Sequence, residues 1–398
     1  MTPSTPIARR VPRVVRHDVG AVFLAKAART YSYGFLGVVL PVYLSDLGVG
    51  PIGVGAAVTL TLSGSAALTW AVRRPAERHG ARAALLGLAA LTVVSAVMLL
   101  IWRLPWAVVA AAMIGNVAVG TGETGPFLTI EQVVVARTVV GSRRTFVLSV
   151  YNLLGYGAGA AGAATVAIVK DYQALFGIFL ACAVLQGLMY LLLPSRATSA
   201  APSGVPRPSA PLIRRLAALF ALDSFAGGFV LQSLVAYFLH QRFGLDLEAL
   251  GLTFFVAQIL TAISLLVAAR LAARFGLLPT MVVSHLVSNV VLIAIAVAPT
   301  AAVAIVLLLL RQLLSQMDVP TRQAYVMAVV TDREREAAAS VTNLSRTVAQ
   351  AVTPALTGWV MQALALSAPF VLGGGLKIVY DLLLYFTFKD VELPSEET

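Results

Sequence analysis

The residues that could do chemistry in this chain are few, and they stand inside long apolar runs. In the run 301–330, Arg311, Ser315, Asp318 and Arg322 follow i, i+4, i+7 and i+11 spacing, which places them on one face of a helix with Gln312 beside them. The run 106–136 carries Asn116, Glu123 and Glu131, the run 19–44 carries Lys26, Arg29 and Tyr33, and Asp223 lies in 216–239. Arg346 lies in 337–366, and Lys377 and Asp381 stand four apart in 369–388. A charge held at the centre of a bilayer costs about 2.5–3.5 kcal/mol or more unless it is paired or hydrated, so each of these residues needs a partner, an aqueous path or a proton.

Two chemistries fit the pattern. The stripe Arg311, Gln312, Asp318 and Arg322, with Arg29, Asn116, Glu123, Asp223 and Arg346, can line a polar path, and the carboxylates among them can exchange a proton because burial makes their charge costly. Structural readings stand beside these. Asp318 and Arg322 can form an internal ion pair at the bend that Pro320 imposes, and Lys26 and Arg29 can reach toward the interface along their own stems. Lys377 and Asp381 are expected to pair with each other, and Arg346 to find Asp318 or Asp223. Catalysis is the weaker alternative, since His17, His79, His240 and His285 are dispersed without metal-ligand spacing and Cys182 is the one cysteine. No nucleotide-binding motif is present, and no cofactor is expected.

The elements that must position these residues follow from composition. Hydrophobic residues make up 59% of 398, charged residues 12%, and the mean hydropathy is +0.87, outside the range of water-soluble domains. Apolar runs of about 20 residues, each long enough to cross about 30 Å of hydrocarbon, recur twelve times between Val19 and Phe388. The expected fold is an all-α membrane protein with a tail at 1–18, a six-helix bundle at 19–194, a linker at 195–215, a second bundle at 216–388 and a tail at 389–398. Of the 29 Lys and Arg residues, alternate loops place 20 on one side and three on the other, so both termini and the linker should be cytoplasmic, in the inner membrane. The net charge of +11 is thereby explained by topology and anionic lipid, with no nucleic-acid partner.

The halves resemble each other. Gly34-Phe35 and Tyr43 recur as Gly228-Phe229 and Tyr237 at an offset of 194 residues. Gly48, Gly55 and Arg78-x-Gly80 recur as Gly244, Gly251 and Arg274-x-Gly276 at 196, and Gln132, Ser149 and Asn152-Leu153 recur as Gln323, Ser340 and Asn343-Leu344 at 191. Parallel halves that rock against each other expose a shared midplane site to either side in turn. Glu131-Gln132 matches Arg322-Gln323, so opposite charges are expected to meet between the halves as a bridge that closes the cytoplasmic mouth in one state and separates in the other.

Six plus six spans, a basic central loop and the sequence Glu77-Arg78-His79-Gly80-Ala81-Arg82 resemble the major facilitator superfamily over nearly the whole chain. The family's loop motif has a glycine where Arg73 stands and an aspartate where Glu77 stands, and the second copy keeps only Arg274 and Gly276. The resemblance implies that Glu77 latches onto the start of the eleventh helix, near 337–340, when the carrier opens outward. It also implies that spans 1, 4, 7 and 10 line the path, and that the chain moves a small-molecule solute as a monomer. Gly155-x-x-x-Gly159-Ala160-x-Gly162 is similar to a glycine-rich signature of drug/proton antiporters without its proline, and close helix packing alone explains it. Proton-coupled export of a small organic compound is the first expectation, and uptake of an anionic or polar nutrient is the second. A membrane-embedded enzyme or a sensor is the alternative of another class.

Overall fold

A computed structural model of the chain describes residues 13–117, 125–138, 143–194, 211–319, 321–322, 325 and 335–389. In chain order the helices are α1 (Arg13–Asp46), α2 (Pro51–Ala71), α3 (Arg73–Ile101), α4 (Pro105–Ile114), α5 (Pro126–Thr138), α6 (Arg143–Ile168), α7 (Tyr172–Leu191), α8 (Pro211–Gly228), α9 (Gln232–Phe243), α10 (Leu247–Phe275), α11 (Leu277–Ala296), α12 (Ala301–Ser315), α13 (Arg335–Ala363) and α14 (Ala368–Phe388). The described residues contain no strand. Seven of the helical stretches are long and apolar enough to cross a membrane, with Ile213–Phe243 counted as one. Helices α1, α6 and α13 have the length, at 34, 26 and 29 residues, but carry buried charges and small or polar side chains.

Three runs expected as single helices are broken. The fourth span divides into α4 and α5 where Asn116 takes φ 52° and Gly125 φ 118°. The seventh divides into α8 and α9 after Gly227-Gly228, with Leu231 at φ −59°, ψ 150°. In the tenth, α12 ends at Ser315. Hydropathy does not register such breaks, because the apolar residues continue through them. The basic segments 73–82 and 270–275 were expected as loops, and 73–79 and 270–275 are helical instead, since Arg, Ala, Glu and Leu there are good helix formers. Each of these extensions ends on a glycine.

Those glycines, Gly80 at φ 86°, ψ 165° and Gly276 at φ 87°, ψ 163°, have the same backbone conformation in the two halves. Only glycine visits this region at low cost, and the conformation turns the chain sharply into the next span. Gly276→Ala is expected to destabilise the second bundle by about 1–3 kcal/mol, a cost that thermal unfolding in detergent would measure. An unchanged melting temperature would mean that this turn relaxes freely.

Packing makes two bundles with a pseudo-twofold interface. α1 packs on α6 and α7, and α3 on α7, while α8 packs on α13 and α14, and α11 on α12 and α14. Between the bundles the main contacts are α2 with α13 and α6 with α10. Gly55 of α2 lies against Pro354 and Gly358 of α13, and its repeat Gly251 of α10 lies against Ala163 and Ala167 of α6, the residues 191 positions earlier. Within the first bundle, a Cβ on Gly34 of α1 would overlap the Gly159 backbone of α6. The glycines of α6 therefore serve close packing.

The apolar core is divided unequally. Around the short connections that follow α1, α6, α9 and α13, one continuous core takes residues from both bundles, including Phe35, Val39, Phe176, Phe238, Phe254 and Phe370. Toward the termini there are two separate cores. One, around Val22, Leu85, Phe127, Tyr151 and Tyr190, is built by the first bundle alone, and the other, around Ile213, Phe220, Met281, Tyr380 and Phe388, by the second. The halves are sealed together at the short-loop end and each keeps its own interior at the other.

Candidate functional site

The deepest charges of the first bundle form one closed set. Arg29 of α1 donates from Nη1 and Nη2 to Oε1 and Oε2 of Glu131 in α5 at 3.0 and 2.6 Å, with both side chains all but inaccessible. Tyr190 of α7 donates to Oε1 at 2.6 Å and accepts from Arg29 Nη1 at 2.8 Å, while Tyr151 of α6 donates to Oε2 at 2.5 Å. Phe127 lies 4.6 Å beneath the guanidinium. Two-point pairing with hydroxyl donors on the remaining lone pairs is what keeps a buried carboxylate from costing several kcal/mol. Lys26, one turn before Arg29, is buried with its ammonium 4.1 Å from the Tyr151 ring centre. Neither basic residue reaches the interface.

The second bundle holds a longer network. Asp223 of α8 accepts Lys377 Nζ of α14 on Oδ1 at 2.6 Å and Arg322 Nη1 on Oδ2 at 3.3 Å, and Arg322 also pairs with Asp318 one turn earlier. Lys377 Nζ stands 3.3 Å from Nε2 of His285 in α11. His285 Nδ1 lies 2.7 Å from Asp381 Oδ1, and Asn289 donates to Asp381 Oδ2 at 2.9 Å. Lys377 and Asp381 thus bind other partners, contrary to the expected pair, because α8 and α11 offer each of them a closer one. Arg346 of α13 donates from Nε to Ser224 at 2.9 Å and makes no ion pair with Asp318 or Asp223.

The two sets are images of each other with the signs exchanged. Asp223 is the repeat of Arg29 at the same offset of 194 that relates Gly34 to Gly228, and Arg322 is the repeat of Glu131 at 191. The Glu131–Arg322 bridge expected between the halves is not formed in this conformer. Each residue pairs within its own bundle, span 1 with span 4 and span 7 with span 10. An additional cation moves as well. Gly155 lets Lys26 lie against α6, where a Cβ would come 2.8 Å from Lys26 Cε; in the second half Phe220 stands at the lysine's place and Arg346 at the glycine's.

The remaining candidates divide by environment. Arg311 lies on the buried face of α12 with Ala304, Leu308 and Ser315, and its Nη1 donates to Gln312 Oε1 at 3.1 Å. Its Nε is buried without a hydrogen-bond partner, and no carboxylate of the described residues lies within ion-pair distance. Asn116, at the break in span 4, donates to the Tyr33 hydroxyl at 3.3 Å and leaves its Oδ1 unsatisfied. Glu123, Pro320 and Gln323 lie outside the described residues. Glu77, Arg78 and Arg274 are exposed, while Gly80 is buried at its turn. Glu77 makes no hydrogen bond or ion pair with the described residues in this conformer.

At the opposite end the halves are tied by polar contacts between described residues. Lys170 donates to Glu248 at 2.6 Å, Gln241 to Ser45 at 2.5 Å, and His240 stands 3.9 Å from Asp46. The Glu248 hydrogen bond raises the Lys170 ammonium above its ordinary value. This contact is therefore complete at neutral pH and is lost only as alkaline pH passes the raised value.

This arrangement of bundles matches a known family over most of its length. The sequence profile of the Major Facilitator Superfamily matches residues 22–315, and again residues 216–398. The chain belongs to the major facilitator superfamily. It is 24% identical to the uncharacterized membrane protein YJR124C of Saccharomyces cerevisiae, over 94% of this chain and 95% of that one. Solved structures of similar fold include the nucleoside transporter NupG (TM-score 0.74, 14% identity, 94% of this chain and 99% of that one). They also include the human organic anion transporter MFSD10 (0.66, 18%, 93% and 99%) and a D-xylose-proton symporter (0.70, 13%, 94% and 96%). At these identities the likeness is one of fold. This member of the superfamily is a multi-pass membrane transporter rather than an enzyme. Sequence reasoning found most of its helices and the glycines of the two sharp turns, but set His285 aside as dispersed and did not weigh Asn289; their i, i+4 spacing in an apolar run was the available signal.

Proposed function

We propose that this facilitator is a proton-coupled secondary transporter that exports a small organic solute by alternating access, acting as a monomer in the cytoplasmic membrane with both termini inside. The observation that carries the reading is the division of the core into one shared interior at the short-loop end and two separate ones at the termini end. Rigid halves joined at one end only form an entrance at the other, and the pseudo-twofold packing of Gly55 and Gly251 provides a surface on which they rock. With the basic loops inside, this conformer is open to the cytoplasm, and the free Glu77 fits a latch that engages in the opposite state. The candidate path residues are Arg29, Asn116, Glu123, Asp223, Arg311, Gln312, Asp318 and Arg346, with Glu131 and Arg322 holding the walls.

A second reading, uptake of an acidic solute, is favoured by Arg311, whose Nε is buried without a hydrogen-bond partner and whose guanidinium makes no ion pair with a described carboxylate. An acidic group on the solute would supply that charge. Ligand-dependent stabilisation of the purified protein, screened with carboxylic acids beside their neutral amides, finds the class, because a ligand that binds only the folded state raises the melting temperature. Proteoliposomes then give the direction. Accumulation of the stabilising compound on the side the proton gradient enters from indicates export, and accumulation on the side to which protons run indicates uptake. Equal accumulation with and without the gradient refutes proton coupling.

A further inference from the structure

We infer that the pair His285–Asp381, joined to Asp223 through Lys377, is the proton-binding site of this transporter. The inference rests on the proton-coupled reading above and names the group that takes the proton. One proton must lie between His285 Nδ1 and Asp381 Oδ1, which are 2.7 Å apart. Nε2 faces the Lys377 ammonium at 3.3 Å, and an ammonium can only donate, so Nε2 presents its lone pair. The imidazole in this conformer is thus the neutral Nδ1–H form.

The surroundings favour one more proton. Two carboxylates face the ring, Asp381 at 2.7 Å and Asp223 at 3.8 Å, against the single ammonium of Lys377. Arg322 and Asp318, which continue the network beyond Asp223, offset each other, so a charged imidazolium would complete neutrality among all six groups. The other neighbours are neutral: Asn289 from the same helix at 3.3 Å, and the Tyr380 ring of α14 with its centroid at 5.9 Å. α10 and α12 also pack on α11, and the described residues of both place no titratable group within hydrogen-bond or ion-pair distance of His285.

Adding the proton at Nε2 turns the acceptor that Lys377 uses into a donor. No bond other than N–H forms. The ammonium is repelled from the ring and kept by Asp223 Oδ1, 2.6 Å away, whose Oδ2 already holds Arg322 of the tenth span. Proton uptake at α11 and α14 therefore alters the balance of charge on Asp223 in the seventh span, and through it on Arg322. This connects a proton to two of the spans that the fold places along the path, without the proton meeting the solute.

The protein contains four histidines, which makes the test direct. A variant with His17→Gln, His79→Gln and His240→Gln leaves the buried network intact and His285 as the only imidazole. Nitrogen-15 NMR of the imidazole in this variant, in detergent micelles and followed from about pH 8 to pH 5, should show the Nδ1–H neutral form at the alkaline end and imidazolium on acidification. Lys377→Met should keep the Nδ1–H form, because Asp381 still accepts from Nδ1, and should make protonation of Nε2 easier, because the ammonium that opposes it is gone. A ring that stays neutral across that range, or one in the Nε2–H form in the triple variant, would overturn the inference. Failure of the broader reading looks different: His285 titrates as described, yet transport in proteoliposomes is the same with and without a proton gradient.

Discussion

Glu131→Gln is expected to destabilise the folded protein by about 3–5 kcal/mol and to abolish transport, because it leaves the Arg29 guanidinium charged in an interior that excludes water. Thermal unfolding in detergent measures the first effect and solute flux the second. Replacing both partners, Arg29→Gln with Glu131→Gln, should recover most of the stability, since an uncharged amide pair is far cheaper to bury than one charge alone. Exchanging them, Arg29→Glu with Glu131→Arg, reproduces the polarity that Asp223 and Arg322 already have in the second bundle, and should recover part of the flux. A single Glu131→Gln variant that melts within about 0.5 kcal/mol of the parent would show that the pair is solvated and that its burial here is not what the fold depends on.

The second large effect is expected at Gly358. A Cβ there would overlap the Pro51 carbonyl and come 3.0 Å from Ile52 Cα and 3.1 Å from Gly55 Cα, all of them backbone atoms that cannot yield by turning a side chain. Gly358→Leu should therefore drive the short-loop end apart, costing the closed conformer about 1–3 kcal/mol, which is about a 5- to 150-fold shift in population. Ser233 is buried at that end and lines an apolar pocket with Leu36, Val54 and Val108. Ser233→Cys in a Cys182→Ala background should react with a membrane-impermeant maleimide at a rate raised by the same factor. Gly251→Leu, at the symmetry-related contact, should act alike. Unchanged labelling in both would mean that the two bundles do not separate along this seam.

Much of the fold was legible because apolar length, loop charge and glycine position are local signals. The twelve runs follow from hydropathy, and Gly80 and Gly276 follow from a repeat that the backbone reproduces within a few degrees. The breaks at Asn116 and after Gly228 were not legible, since an apolar run reads alike whether its backbone is continuous or interrupted. In the site, the Asp318–Arg322 pair was legible from its i, i+4 spacing, and the partners of the other charges were not. Glu131 and Arg322 were matched by the repeat and therefore expected to meet. The same repeat also matches Arg29 with Asp223, and that second match, taken together with the first, assigns both pairs to their own halves. Lys377 and Asp381 illustrate the other limit: i, i+4 spacing shows that two side chains share a face, while a neighbouring helix decides what each one binds.

The exchange of sign between the two buried pairs has a consequence for the field inside the protein. Halves related by a half-turn about the membrane normal reverse every vector lying in the membrane plane and preserve every vector along the normal. Inverting the charges inverts both rules. The dipole from Glu131 to Arg29 and the dipole from Asp223 to Arg322 therefore add in the plane and cancel along the normal. The space between the bundles therefore lies in a field directed along the membrane plane. Rocking the halves symmetrically moves these four buried charges through no net share of the membrane voltage.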